Sequence, residues 1–292
     1  MELACKLTEQ VYEDPPTIRW DEHELPDAWP DRGIGGGIRI FWRILRGLFA
    51  RKLPPVQVPS ELPGGERIPE YVLQEFHGLP NGNYSKRVTD GYARWFDRVM
   101  LGVMGERRRR IADALKDCRS VLDIGCGPGQ VAGNILEAGV DDVWGLDPSP
   151  YLLQLAQRSF PALQLVQGIA EDMPFSAHRF DGIAACFLFH ELPPSRIDAA
   201  LAECRRVLRP GGVLYIVEPG PEQFYGSFFG MIKRFGWRGL YFRTLARMVH
   251  EPFVAAFHDR DKTELLTRHG FEVISALNTF PTQEWFAARV GE

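Results

Sequence analysis

The segment Val121-Leu122-Asp123-Ile124-Gly125-Cys126-Gly127-Pro128-Gly129 constrains this chain more than any other. Apolar residues around a single aspartate read as a buried strand, and they run directly into a turn holding three glycines. Glycine reaches positive φ and lets a ligand approach main-chain N–H groups, while Pro128 fixes φ within the loop. A helix predicted over residues 130–138 follows, and its N-terminus adds free donors and a partial positive charge. In open α/β sheets a strand, glycine turn and helix in this order hold a nucleotide-like ligand. The spacing is GxGxG rather than GxGxxG, with Asp123 two residues before the first glycine. Gly145-Leu146-Asp147 closes the next predicted strand, 22 residues after Gly125. An acid at that place accepts both hydroxyls of a ribose.

The rest of the chain is read around this segment. Residues 1–104 are broken by Pro15-Pro16, Pro54-Pro55, Pro59, Pro63-Gly64-Gly65, Pro69 and Pro80, so they form an irregular and partly helical N-terminal extension. Helices are predicted within it over 38–53 and 84–104, and no core of its own is expected. Residues 105–292 alternate strands and helices. Strands are predicted over 120–124, 143–147, 163–167, 180–186, 213–218, 271–277 and 284–289, and helices over 106–116, 130–138, 150–158, 195–207 and 259–269. The first five strands are apolar runs without polar alternation, as a sheet covered on both faces requires. The expected fold is α/β: a Rossmann-like, doubly wound, seven-stranded, mostly parallel sheet with an antiparallel C-terminal strand. Residues 223–257 interrupt this pattern and are expected to form a substrate lid.

Taken in order, VLDIGCGPG, GLDPS, MPFSAHRFDGI and RRVLRPGGVLYIVEP resemble the motif series of class I S-adenosylmethionine-dependent methyltransferases. The likeness covers roughly residues 84–290 and is strongest to the group containing the ubiquinone and menaquinone C-methyltransferases. A ribose site without a diphosphate site agrees with S-adenosyl-L-methionine as cofactor. The resemblance implies that Asp123 lies near the cofactor's amino group, with Gly125, Cys126 and Gly127 giving backbone contact. It implies that Asp147 binds the ribose, Pro148 borders the adenine, and Ile169, Ala170 and Glu171 form the adenine edge. Cys186 and Phe187 would stand near the sulfonium. Many relatives carry Asp or Asn where this chain has Ile169, so a backbone carbonyl, Glu171 or Asp172 would have to replace that contact.

Methyl transfer is an in-line displacement, and it needs a base only where the acceptor must lose a proton. His190 and Glu191 follow the fourth strand at the mouth of the sheet and are the candidate catalytic residues. His190 would act as a base and Glu191 would orient it. Glu218, Tyr84 and Tyr92 are candidate substrate contacts. His190-Glu191 is not a zincin motif, because position 194 is proline.

The acceptor is expected to be a small lipophilic or aromatic molecule. Residues 223–257 mix aromatic and basic side chains. Residues 38–52 hold five basic and no acidic residues, with Ile38, Phe41, Trp42, Leu45, Leu48 and Phe49 on one helical face. That face suits either a membrane surface or packing on the main domain. The net charge of −4 and the lack of an Asn-Pro-Pro-Tyr-like segment argue against a nucleic-acid substrate. The five cysteines, Cys5, Cys118, Cys126, Cys186 and Cys204, show no CxxC spacing. A disulfide framework and a structural metal site are therefore not expected, and a reducing, cytoplasmic location is, with peripheral membrane contact through residues 38–52 an open alternative. Other readings are a nicotinamide-dependent oxidoreductase, amino transfer to a quinone with the same cofactor, or a cofactor-binding module without turnover. No residue pattern sets an oligomeric state.

Overall fold

The computed structural model describes residues 14–47 and 53–291. Cys5, Leu48, Phe49, Arg51 and Lys52 lie outside them. After 3₁₀ turns at Trp20–Glu22 and Trp29–Asp31, the extension forms helix α1 (Gly33–Gly47), which starts five residues before the predicted one. The helices predicted over 84–104 and 106–116 are α2 (Lys86–Val99) and α3 (Val103–Leu115), the first ending five residues early. Ser85 caps α2 by accepting from Val88 N, and the chain then turns through positive φ at Leu101 (51°) and Gly102 (74°). An α-helix cannot continue through two left-handed residues.

The main domain follows as β1 (Ser120–Ile124), α4 (Gln130–Glu137), β2 (Asp142–Asp147), α5 (Pro150–Ser159), β3 (Gln164–Gln167) and β4 (Phe180–Cys186). It continues with α6 (Pro194–Val207), β5 (Leu208–Pro219), then α7 (Glu222–Tyr225), α8 (Phe228–Met248) and α9 (Val254–His258) in the segment expected to form a lid, and then α10 (Lys262–Arg268), β6 (Phe271–Thr279) and β7 (Thr282–Arg289). The strand order is β3-β2-β1-β4-β5-β7-β6. The first five strands pair in parallel, and β7 inserts antiparallel between β5 and β6. β5 starts before the Pro-Gly-Gly turn because Leu208 already pairs with Phe180, with a register shift before Gly182 pairs with Val213.

Strand alternation divides the core into two layers. Leu122 and Ile124 of β1 pack with Ile197, Leu201 and Cys204 of α6. Val121 packs on the other face with Ile111, Leu115, Ile135 and Leu153. Each such fully buried Leu or Ile contributes about 1.5–3 kcal/mol of burial free energy. The order reverses between β1 and β4, and that switch point leaves a crevice at the carboxyl ends of the strands.

The extension is more than an irregular strap. Leu25, Val56, Leu62, Ile68 and Tyr84 form a small apolar cluster with Tyr151 of α5, so it does own a satellite core. Trp20 is buried in the main core, and its Nε1 donates to Leu165 O at 3.3 Å.

Candidate active site

The glycine turn explains itself residue by residue. Gly125, Gly127 and Gly129 have φ of 66°, 53° and 79°. A Cβ at Gly125 would stand 2.9 Å from Leu188 Cδ1, and one at Gly129 2.9 Å from Ala156 Cβ. Any larger residue is strained twice, by conformation and by space. The turn is tied to β2, where Gly125 N and Cys126 N both donate to Leu146 O at 2.8 and 3.1 Å.

Two carboxylates flank the turn. Asp147 accepts from Gly127 N at 2.9 Å and from Ser149 N at 2.8 Å. Its burial pushes its pKa up to about 6, against those two hydrogen bonds. Asp123 accepts from Ala132 N at 3.0 Å, at the start of α4. Burial raises it to about 8, and the nearby Asp147 charge adds to the rise.

A cleft of about 260 Å³ lies over these groups. Asp123, Gly125, Cys126 and Gly127 form its floor, with Asp147 and Pro148 at one end. Ile169 and Ala170 line the far edge, Cys186 and Phe187 the side toward β4, and Tyr84 and Tyr92 reach in from the extension. Phe187 itself has φ of 60°, an uncommon conformation for a bulky residue and of the kind that clusters at ligand sites. Glu171 is absent from this wall, because its Oε1 accepts from Tyr71 Oη at 2.6 Å. Asp172 pairs through the backbone with Ile169. The side chains of Ile169 and Ala170 make this edge of the cleft apolar.

His190 and Glu218 also stand off the cleft wall. A 3₁₀ turn at Phe189–Glu191 points His190 into a buried cluster behind Phe187. Glu218, at the end of β5, accepts from Leu188 N (3.1 Å), Phe189 N (2.7 Å) and His190 Nδ1 (2.5 Å). Burial alone would lower the His190 pKa, but the charges of Glu218 and Glu251 outweigh it and raise it to about 9. His77 from the extension is raised to about 9 in the same way, by Glu251 and Glu191 against its burial. Burial raises Glu191, while His77 and His190 oppose the rise. Of the two residues expected to be catalytic, Glu191 lines the cleft and His190 does not.

Sequence reading missed His77 and Glu251, which lie far from the motifs in an irregular segment and in the lid. His77 carries a faint signal in the structure, since its φ is 57°.

An apolar groove of about 630 Å³ adjoins the cleft and shares His77, Tyr92, Phe96 and Phe187 with it. Ile40 and Ile44 of α1, Trp95 and Val99 of α2, and Phe224 and Phe242 of the lid line the rest. Helix α1 is held to the extension through two of its arginines. Arg39 and Arg43 sit over the Trp29 ring at 5.2 and 5.6 Å, and Arg43 pairs with buried Glu75 at 2.8 Å. Its apolar residues face out, with Ile38, Phe41 and Trp42 retaining 55%, 62% and 54% of their accessible surface. The apolar face of α1 is therefore not packed on the main domain. The lid aromatics divide: Phe242 and Phe257 are buried, whereas Phe229 and Trp237 are exposed.

Residues 121–212 match the family model described as "Methyltransferase domain". An uncharacterised methyltransferase of Synechocystis is 36% identical over 105 residues, 36% of this chain and 49% of that protein. The demethylmenaquinone methyltransferase of Chlorobaculum tepidum is 33% identical over 99 residues, 34% of this chain and 40% of that protein. The chain thus spans about half the length, or less, of these curated relatives. The solved structure of human N-acetylserotonin methyltransferase in complex with S-adenosylmethionine superposes with a TM-score of 0.54 at 15% identity, covering 88% of this chain and 68% of that one. That likeness is one of fold. Three left-handed glycines, an aspartate at the end of β2 and a cleft of this size fit the same cofactor. Residues 121–212 of this chain form a methyltransferase domain, similar in sequence to that of the demethylmenaquinone methyltransferases.

Proposed function

We propose that the chain transfers a methyl group to a small lipophilic acceptor, quinone-like in character, which it meets at a membrane surface. The observation that carries this reading is the apolar groove, joined to the cofactor cleft through Phe187, Phe96 and Tyr92. Demethylmenaquinone methyltransferases among the relatives support an acceptor of that class. The outward apolar face of α1 supports contact with lipid. No helix among the described residues is long and apolar enough to cross a membrane.

When bound, the cofactor supplies an electrophilic methyl on a sulfonium. Asp147 takes the ribose hydroxyls, Asp123 the amino group, and Ile169 and Ala170 the adenine. Cys186 and Phe187 border the methyl, and Tyr84 and Tyr92 close the cleft against water, which aligned displacement requires. Glu191 accepts the proton that an acceptor hydroxyl or ring carbon gives up, and His190, held by Glu218, positions it.

The test is incubation with methyl-labelled cofactor and an extract of the source cells, followed by partition. Label is expected in the organic phase, and less of it after Phe41→Glu with Trp42→Glu. Label confined to the aqueous phase would overturn the lipophilic acceptor, and equal labelling by the variant would remove the role of α1.

Cofactor binding carries a pH signature. Asp147 must be ionised to accept two hydroxyls, and its pKa in the free protein lies near 6. Affinity is expected to be level above about pH 7 and to fall roughly tenfold per pH unit well below 6. The free fold shows the opposite sign. The stability cost of burying this carboxylate is fully present above about pH 6 and vanishes below its ordinary value of 3.8, so the free fold gains stability as the pH falls through that window. Calorimetric titration between pH 5 and 8 checks the affinity, and Asp147→Asn should flatten the profile. Any dependence that survives in that variant belongs to Asp123.

A further inference from the structure

We propose that His77, His190, Glu191 and Glu251 form a binding site for a divalent first-row transition cation. One donor atom from each lies within 4.8 Å of all the others. The four come from three parts of the chain: the extension, the turn after β4, and the segment between α8 and α9. His77 Nε2 stands 3.0 Å from Glu251 Oε1 and 3.3 Å from Glu191 Oε1. His190 Nε2 stands 3.7 Å from Glu251 Oε2.

A second observation points to a ligand. The Glu251 side chain retains only 7% of its accessible surface, and its Oε2 has no hydrogen-bond partner. A buried carboxylate oxygen left in this way is costly unless something positive meets it. A third concerns His190. Its Nδ1 is held by Glu218, itself anchored by backbone N–H groups, so its Nε2 is turned toward the cluster. A carboxylate fixing the far nitrogen of a histidine is the recurrent second layer of metal centres. The backbone also braces the fourth corner, since His77 N donates to His250 O at 3.1 Å, next to Glu251.

Two imidazoles and two carboxylates suit Zn²⁺, Fe²⁺ or Mn²⁺. The two carboxylates balance the ion's charge, and metal–ligand distances of about 2.0–2.2 Å ask only for a small contraction. The cluster also lies where the two cavities meet: His77 lines both, Glu191 the cleft, and His190 and Glu251 the groove. A cation there would present an open position to an oxygen of the acceptor, a corollary that rests on the methyl-transfer reading. The ion site itself does not.

The test uses the full chain, free of any affinity tag and stripped with a chelator, titrated with Co²⁺. Stoichiometric binding with visible d–d absorption of a nitrogen/oxygen site is expected, competed by Zn²⁺. His77→Gln and Glu251→Gln should each weaken Co²⁺ binding at least tenfold, with circular dichroism and S-adenosylmethionine binding retained. Failure of the folded, cofactor-binding protein to take up Co²⁺ would overturn the site. So would unchanged Co²⁺ affinity in the double variant. Loss of the acceptor reading alone would leave the Co²⁺ result standing.

Discussion

Replacing Glu218 by alanine is expected to lower the unfolding free energy by about 3–5 kcal/mol. Glu218 is fully buried, and its two oxygens are the acceptors for the backbone N–H groups of Leu188, Phe189 and His190 and for the His190 ring. Alanine removes a charge that is already paired and leaves its partners inside the protein. An imidazole flanked by carboxylates then loses the one that fixes its orientation, and the turn after β4 loses its anchor to β5. Glutamine keeps one carbonyl oxygen and should cost less. Denaturant unfolding of the three proteins measures both. A loss under about 1 kcal/mol for alanine would mean that solvent reaches those amides, since an ordinary exchanged hydrogen bond is worth no more. Because the same turn sets Phe187 against the cleft, Glu218→Gln should also change the acceptor's KM more than cofactor affinity.

The second large effect falls on the cofactor. Asp147→Ala is expected to weaken S-adenosylmethionine binding by about 3 kcal/mol, roughly a hundredfold. The figure follows from two hydrogen bonds to a charged acceptor, each worth about 1.5–3 kcal/mol. The fold should survive, because the carboxylate's own burial already opposes it, as the rise in its pKa to about 6 records. Isothermal titration gives the affinity, and the melting temperature without ligand gives the control. Affinity within threefold of the parent would remove Asp147 from the ribose site and leave the Gly125–Gly129 turn as the main determinant.

The sheet was legible because its signal is local. Five apolar strands, a glycine turn with Asp123 before it, and Asp147 at a strand end are each fixed by residues within a few positions of one another. Strand sterics and left-handed φ act at that range, so the predicted strands over 120–124 and 180–186 coincide with β1 and β4. The helix predicted over 84–104 overran the end of α2 at Val99, because one glycine near the end of an amphipathic run does not distinguish a kink from a stop. The orientation of α1 was beyond the sequence for another reason. Its stripe of apolar residues has a definite face, but whether that face meets protein or solvent depends on Trp29 and Glu75, which capture its arginines from elsewhere in the chain.

The cluster around His190 shows the same division most sharply. The sequence places His190 and Glu191 at the mouth of the sheet, because the end of a β-strand at a switch point is a local and topological fact. It gives no reason to join them to His77, 113 positions before His190, or to Glu251, 60 positions after Glu191. Side chains so far apart meet only when the extension and the lid pack over the same edge. Their shared environment, in which four carboxylate and imidazole groups lose water together, sets their charges and their chemistry. Sequence alone determined the sheet and the cofactor turn, since both follow from short-range backbone geometry. Tertiary structure alone decided what stands opposite the cofactor, since that depends on long-range burial of polar groups.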